Sequence, residues 1–206
     1  MGIYAKYVLP RIIDLAMRNQ DTSRLRSEWI PRAHGNVLEI GIGSGLNLPF
    51  YSSAVSHVHG VDPSFELQQL AFQKQRIDPN KVEFLTQSAE EPLGLPAASV
   101  DTAVITWTLC SIPNPARALQ QVKCVLKPNG QLVFLEHGHA PDPSVAKWQD
   151  RLTPFWKHIS GGCHLNRRID EIIAAAGFRI RELGTQYLPG PRPMTFTYKG
   201  IADLRE

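Results

Sequence analysis

Val37-Leu38-Glu39-Ile40-Gly41-Ile42-Gly43-Ser44-Gly45-Leu46-Asn47 is an apolar run short enough for one buried strand, interrupted by a carboxylate and then broken by three alternating glycines. It reads as strand, tight turn and helix. Glycines at such a turn let the backbone take positive φ and let a ligand approach where any Cβ would collide. The rest of the chain is organised around this turn, which either holds a ligand or is unusually costly packing.

Upstream, Ile3 to Met17 is interrupted by Lys6, Pro10, Arg11 and Asp14, so it neither spans a bilayer nor resembles a signal peptide; it reads as an amphipathic helix. Asp21-Thr22-Ser23 offers cap chemistry for a second helix through Trp29, ended by Pro31 and Gly35-Asn36. Downstream, a short helix is expected over 46–51, a strand over 57–61 closed by Asp62-Pro63-Ser64, and a helix over 65–76. A strand follows at 81–85, then a loop at 88–92. A strand at 102–107 has the composition of one buried on both faces, and helix 115–126 leads to strand 131–136. Helices over 144–159 and 166–176, parted by Gly161-Gly162-Cys163-His164, precede closing strands at 178–184 and 194–200. Pro189 to Pro193 reads as a stiff turn.

Alternation of strand and helix implies parallel pairing with right-handed crossovers and helices on both faces. Ligands of such sheets bind at the carboxyl ends of the strands, where Gly41 to Gly45, Asp62, Trp107, Glu136 and His137 fall. The 206 residues suit one domain; 43% apolar and 20% charged residues exclude a disordered or membrane class. A net charge of +3 with scattered Lys and Arg argues against nucleic acid. Three widely spaced cysteines, Cys110, Cys124 and Cys163, suit a reducing, cytoplasmic setting.

The dinucleotide fingerprint wants a third glycine where Leu46 stands, and a pyrophosphate would be repelled by Glu39. Asp62, at the end of the next strand, suits a ribose. Together they point to a cationic nucleoside. Glu39-x-Gly41-x-Gly43-x-Gly45, Asp62, Ser88-Ala89-Glu90-Glu91 and Leu126-Lys127-Pro128-Asn129-Gly130 resemble, in order and spacing, the class I S-adenosylmethionine-dependent methyltransferases. Asn129 stands where many members have glycine, a departure that asparagine tolerates because it accepts left-handed conformations.

That resemblance implies a single Rossmann-like methyltransferase domain, α/β, with a mostly parallel seven-stranded sheet, helices on both faces and an antiparallel C-terminal strand. Residues 1–32 would form a helical cap, 36–137 the cofactor-binding core, and 138–206 the acceptor-site helices and closing strands. S-adenosylmethionine would contact Glu39, Gly41, Ile42, Gly43, Ser44, Gly45, Asn47, Asp62, Pro63, Ala89, Glu90, Thr106, Trp107 and Cys110. Asp62 would hold the ribose, and Ala89 with Glu90 would flank the adenine.

A narrower resemblance, to the membrane-anchored alkyl-thiol S-methyltransferases, is carried by Thr108-Leu109-Cys110-Ser111, Leu135-Glu136-His137, Trp148, Pro154 with Trp156, and Gly162-Cys163 with Leu165 and Arg167. It departs in lacking a long N-terminal anchor and in having Thr153 before Pro154. The resemblance implies a small, apolar thiol as methyl acceptor, with Tyr7, Trp107, Cys110, Trp148, Trp156 and Cys163 around it. His137 is the first candidate for handling the proton, with His139 and His164 behind it. Amine, hydroxyl, quinone-precursor or phospholipid acceptors, or a non-catalytic cofactor-binding module, are the alternatives.

Cys124 reads as core, and His57 and His59 as structural or surface residues. Cys163, His164, His137 and His139 show no paired-ligand spacing, so no metal is expected. The expected partner is a small molecule, without nucleic acid or stable membrane insertion, and the expected assembly is a monomer or homodimer.

Overall fold

The computed structural model describes residues 8–74, 78 and 81–205. Helices α1 (Leu9–Ala16) and α2 (Gln20–Trp29) lead into β1 (Gly35–Ile40), followed by β2 (Val55–Val61), α3 (Phe65–Lys74) and β3 (Val82–Leu85). Then come β4 (Val100–Thr106), α4 (Pro115–Val125), β5 (Leu126–His137), α5 (Pro143–Ile159), α6 (Ile169–Ala175), β6 (Phe178–Tyr187) and β7 (Phe196–Leu204). They form one seven-stranded sheet in the order β3-β2-β1-β4-β5-β7-β6, in which only β7 runs antiparallel to its neighbours. The expected fold class, including the antiparallel last strand, is the one observed.

The central strands β1, β4 and β5 are buried on both faces, and their two-residue period sorts side chains between two cores. Leu38, Ile40, Ala103, Ile105, Leu132 and Phe134 face the layer of α4 and α6, while Val37, Val104, Val133 and Leu135 face Leu25, Trp29 and Ile30 of the α2 side. The chain leaves β1 to one side for β2 and returns on the other side with β4, so a crevice opens at the carboxyl end of β1.

Several expectations are corrected. The helix expected over 46–51 is a single 3₁₀ turn, Leu48–Phe50, after which Tyr51 turns extended; this local geometry lets Asn47 and Tyr51 both reach back to Glu39. The cap of α2 is Asn19, whose side chain accepts from the Thr22 N–H, and not the 21–23 cluster. Cys124 is exposed, because the buried face of α4 is Ala118, Leu119, Val122 and Val125 and residue 124 falls off it. Asn129 does not use the left-handed region; among described non-glycine residues only Ala98 and Trp107 do. Of the first expected helix, Tyr7 and everything before it lie outside the described residues. No helix among the described residues is long and apolar enough to cross a membrane.

Helix α5 is fastened to the sheet by one buried amide. Gln149, 0% exposed, donates through Nε2 to the Gly138 and Pro193 carbonyls at 2.9 and 3.1 Å and accepts at Oε1 from the Ala140 N–H at 2.8 Å. Truncation would orphan two buried backbone groups and one half-buried one, and leave a cavity. Gln149→Ala is expected to lower unfolding free energy by about 2–5 kcal/mol, read by urea denaturation; a loss under about 1 kcal/mol would refute this anchoring role.

Candidate active site

The turn after β1 is a cradle of bare backbone. Gly41 and Gly43 have φ of 74° and 52°, and a Cβ on Gly41 would fall 2.1 Å from Thr108 Oγ1, so neither conformation nor space admits a side chain there. The Gly41 and Ile42 N–H groups donate to the Val61 carbonyl, which ties the turn to the end of β2. Asp62 follows immediately. Its carboxylate accepts from the Gly43 N–H at 3.1 Å and the Ser64 N–H at 2.8 Å. Burial raises its pKa, with these two donors pulling the other way.

Beneath the cradle runs a buried polar chain. Asn47 Nδ2 donates to Glu39 Oε1 at 2.8 Å and to Thr106 Oγ1 at 3.0 Å, while Tyr51 donates to Glu39 Oε2 at 2.7 Å. Arg26 donates to Asn47 Oδ1 at 3.0 Å and to the Met17 carbonyl at 2.8 Å, with its guanidinium 4.8 Å from the Trp107 ring centre. Ser44 reaches Asp14 of α1 at 2.5 Å. Burial pushes the Glu39 carboxyl up to about 7, opposed by its bonds from Tyr51 and Asn47 and by Arg26. The same burial brings Arg26 down to about 10.

At the other end, β4 stops at Trp107, which has φ 50°, a costly conformation for an aromatic residue. Glu136 holds the turn that follows, accepting from the N–H groups of Thr108, Leu109 and Cys110 at 2.7, 2.9 and 3.3 Å. The α5–α6 connection is clasped to this turn. His164 N–H donates to the Cys110 carbonyl at 2.8 Å, and Arg167 donates to the Leu109 and Ile112 carbonyls. Cys110, His137 and Cys163 meet there, with Cys163 Sγ 3.6 Å from His137 Nδ1. Cys110 is raised well above an ordinary thiol by acting as donor to Cys163 and by burial, whereas Cys163 is lowered by that same bond.

A cavity of about 880 Å³ joins the two ends. Every expected cofactor contact lines it except Gly45, whose N–H closes the turn onto Ile42. Glu39 is 1% exposed with both oxygens bonded within the protein, so it shapes the cradle more than it offers a free charge. Trp107, Cys110, Trp156 and Cys163 line the cavity; Trp148 is corrected, being 54% exposed and one position off the α5 face that carries Val145, Gln149 and Thr153. Of the three histidines only His137 reaches the cavity. His139 does not line it and is held by its backbone, its N–H donating to the Arg167 carbonyl and its carbonyl accepting from the Tyr198 hydroxyl, and His164 holds the Cys110 carbonyl. Tyr7 is outside the described residues. Unforeseen are Arg26, Asp14 and Met17 from the N-terminal helices, and Leu188, Pro189 and Met194 from the β6–β7 connection, which the sequence offered only as a stiff turn.

Residues 5–183 match the family described as "Methyltransferase domain". Thiol S-methyltransferase TMT1B of Rattus norvegicus is 37% identical over 160 residues, 75% of this chain and 64% of that protein. The chain thus spans 64% of the length of this relative. Phosphatidylethanolamine N-methyltransferase of Cereibacter sphaeroides is 30% identical over 149 residues, 72% of each chain. Among solved structures, the putative methyltransferase bound to the Trm112 activator of Haloferax volcanii superposes with a TM-score of 0.72 at 18% identity, covering 95% of this chain and 94% of that one.

The position of the Glu39 pKa sets a pH dependence. The ordinary carboxyl value is 4.5 and the folded one about 7, so across that window the folded protein holds a proton that the unfolded chain has released. This group's contribution therefore falls as pH rises through the window and is level above it. In denaturant titrations at several pH values, the stability of Glu39→Gln relative to wild type is expected to rise between these limits and then plateau. A pH-independent difference would mean that Glu39 is not raised.

Proposed function

The chain belongs to the methyltransferase domain family, and on that premise we propose that it transfers the methyl group of S-adenosylmethionine to the sulfur of a small, apolar thiol. The observation that carries this reading is the two-ended cavity. One end has the features a cationic nucleoside needs: a glycine edge with no Cβ within reach, the Asp62 carboxylate for ribose hydroxyls, and Ala89 with Glu90 where a base would lie. The other end joins His137 and two cysteines to apolar walls from Ile13, Met17, Trp156, Leu188 and Met194.

S-adenosylmethionine supplies a methyl carbon already activated by a sulfonium, so the chain has chiefly to align the acceptor and exclude water. Helix α1, pinned through Asp14 and Ser44, and the β6–β7 connection provide that enclosure. The acceptor would react as its thiolate, its S–H proton given to solvent; the sulfur lone pair would form the new carbon–sulfur bond, and the electrons of the broken carbon–sulfonium bond would stay with the departing thioether. His137, the histidine that lines the cavity, is the residue we place beside the acceptor sulfur. The thiol S-methyltransferase relatives support this choice of acceptor. We place the enzyme in the cytoplasm, a reading supported by its three free cysteines.

A second reading, N-methylation of a phospholipid head group, is favoured by exposed apolar residues Ile12 and Leu15 of α1 and Phe155 and Ile159 of α5, together with the Cereibacter relative. Incubation with methyl-labelled cofactor, a panel of alkyl and aryl thiols, and phosphatidylethanolamine vesicles separates the two. Labelled methyl thioethers and unlabelled lipid are expected; labelled lipid with no thioether would overturn the thiol assignment. Asp62→Ala is expected to weaken cofactor binding by about 10–100-fold in calorimetry, the loss of one or two charge-assisted hydrogen bonds. Unchanged affinity would remove Asp62 from the ribose site.

A further inference from the structure

We propose that Cys110, His137 and Cys163 form a binding site for a thiophilic divalent cation, zinc(II), with one coordination position open toward the cavity. The proposal that the acceptor sulfur occupies this open position rests on the thiol reading above. The three residues come from the turn after β4, the end of β5 and the α5–α6 connection, and offer two sulfurs and one imidazole nitrogen within 4.8 Å of one another. With zinc–sulfur bonds of about 2.3 Å and zinc–nitrogen bonds of about 2.0–2.1 Å, the sulfur-to-nitrogen edge of a tetrahedron is roughly 3.6 Å. Cys163 Sγ and His137 Nδ1 are 3.6 Å apart.

An ordinary thiol–imidazole hydrogen bond has the same length, so distance alone does not decide; the convergence of the three side chains does. Three separate connections bring two sulfurs and a buried imidazole, 7% exposed, within 4.8 Å of one another. A metal on Nδ1 replaces the one long contact of that nitrogen to sulfur with a strong bond and fixes the ring, while Nε2 stays without a partner among the described residues.

The frame is also built in advance. Glu136, His164 and Arg167 lock the backbone of the two cysteine-bearing loops through bonds that use neither sulfur nor the His137 ring. Two thiolates and a neutral imidazole on a doubly charged ion leave no net charge to bury, and soft sulfur ligands with imidazole select zinc over magnesium or calcium. All three residues line the cavity, which makes this a three-ligand site of the open kind. Occupation of the open position by the acceptor would release its thiol proton to solvent and present a sulfur lone pair to the methyl carbon. The carbon–sulfur bond forms as the carbon–sulfonium bond breaks, and the thioether product, a weaker ligand, departs.

Titration of the full chain with cobalt(II) under reducing conditions tests the site without reference to turnover. One equivalent is expected to give thiolate-to-cobalt absorption in the near ultraviolet and tetrahedral d–d bands, displaced by zinc. Cys110→Ser and Cys163→Ser should each abolish the thiolate signal of the missing sulfur and weaken binding beyond the roughly 10–100-fold that loss of a supporting hydrogen bond behind a ligand costs. Far-ultraviolet circular dichroism and the urea unfolding midpoint, measured in parallel, report retained folding. His57 forms with His59 and Glu83 a second group that could take a metal ion but offers no sulfur, so His57→Ala should leave the thiolate band unchanged. Absence of the thiolate band in wild type, or its persistence unchanged in both cysteine variants, would overturn the site. Thiol acceptor is expected to shift the d–d bands, and chelation to lower thiol methylation at least tenfold while cofactor affinity holds. Full turnover after complete metal removal would overturn the metal's role and leave the thiol reading intact; a cobalt site that forms while no thiol is methylated would do the reverse.

Discussion

The site depends on a carboxylate kept out of water. Glu39 is the last residue but one of β1, a strand buried on both faces, and its two oxygens must find donors inside the protein or a carboxylate could not stand there. Asn47 and Tyr51 supply them, which dictates the path of the chain after the glycine turn. Arg26 then bonds Asn47, which dictates where α2 lies, and Arg26 in turn caps Met17 at the end of α1. The bare turn, the floor of the cavity and its N-terminal wall are therefore consequences of one solvation problem.

A second buried carboxylate does the same service at the other end. Glu136 gathers three consecutive N–H groups and so forces the chain after β4 into a tight turn, with Trp107 held at positive φ as its pivot. That turn brings Cys110 under the α5–α6 connection. The two acids, on β1 and β5, fix the two walls between which a methyl donor and an acceptor can be aligned.

Much of this was legible in the amino-acid order. Strand periodicity, turn glycines and the Asp62 position follow local rules, so the sheet, its class and the nucleoside half of the cavity were readable. What was not readable depends on long-range solvation. Arg26 in Ser23-Arg24-Leu25-Arg26 looks like any exposed helix arginine, yet it is 4% exposed. Cys110, His137 and Cys163 carry no shared spacing, because three separate connections bring them together. Trp148 and Trp156 looked alike in a polar segment, and only the face of α5 turned inward separates a wall from a surface. Cys124 lies outside the core for the same reason, since an apolar helix pattern does not say which one-residue phase meets the sheet.

The position of β7 has a consequence for how the protein comes into being. It lies between β5 and β6 although both precede it in the chain. Until residues 196–204 have left the ribosome, β5 has an unpaired edge and β6 has no neighbour to join. The nucleoside crevice between β1 and β4 is built from strands made much earlier. Synthesis therefore passes through a stage in which the crevice strands are complete while one long, apolar edge of β5 stays open, and that edge is the natural point for a chaperone to cover.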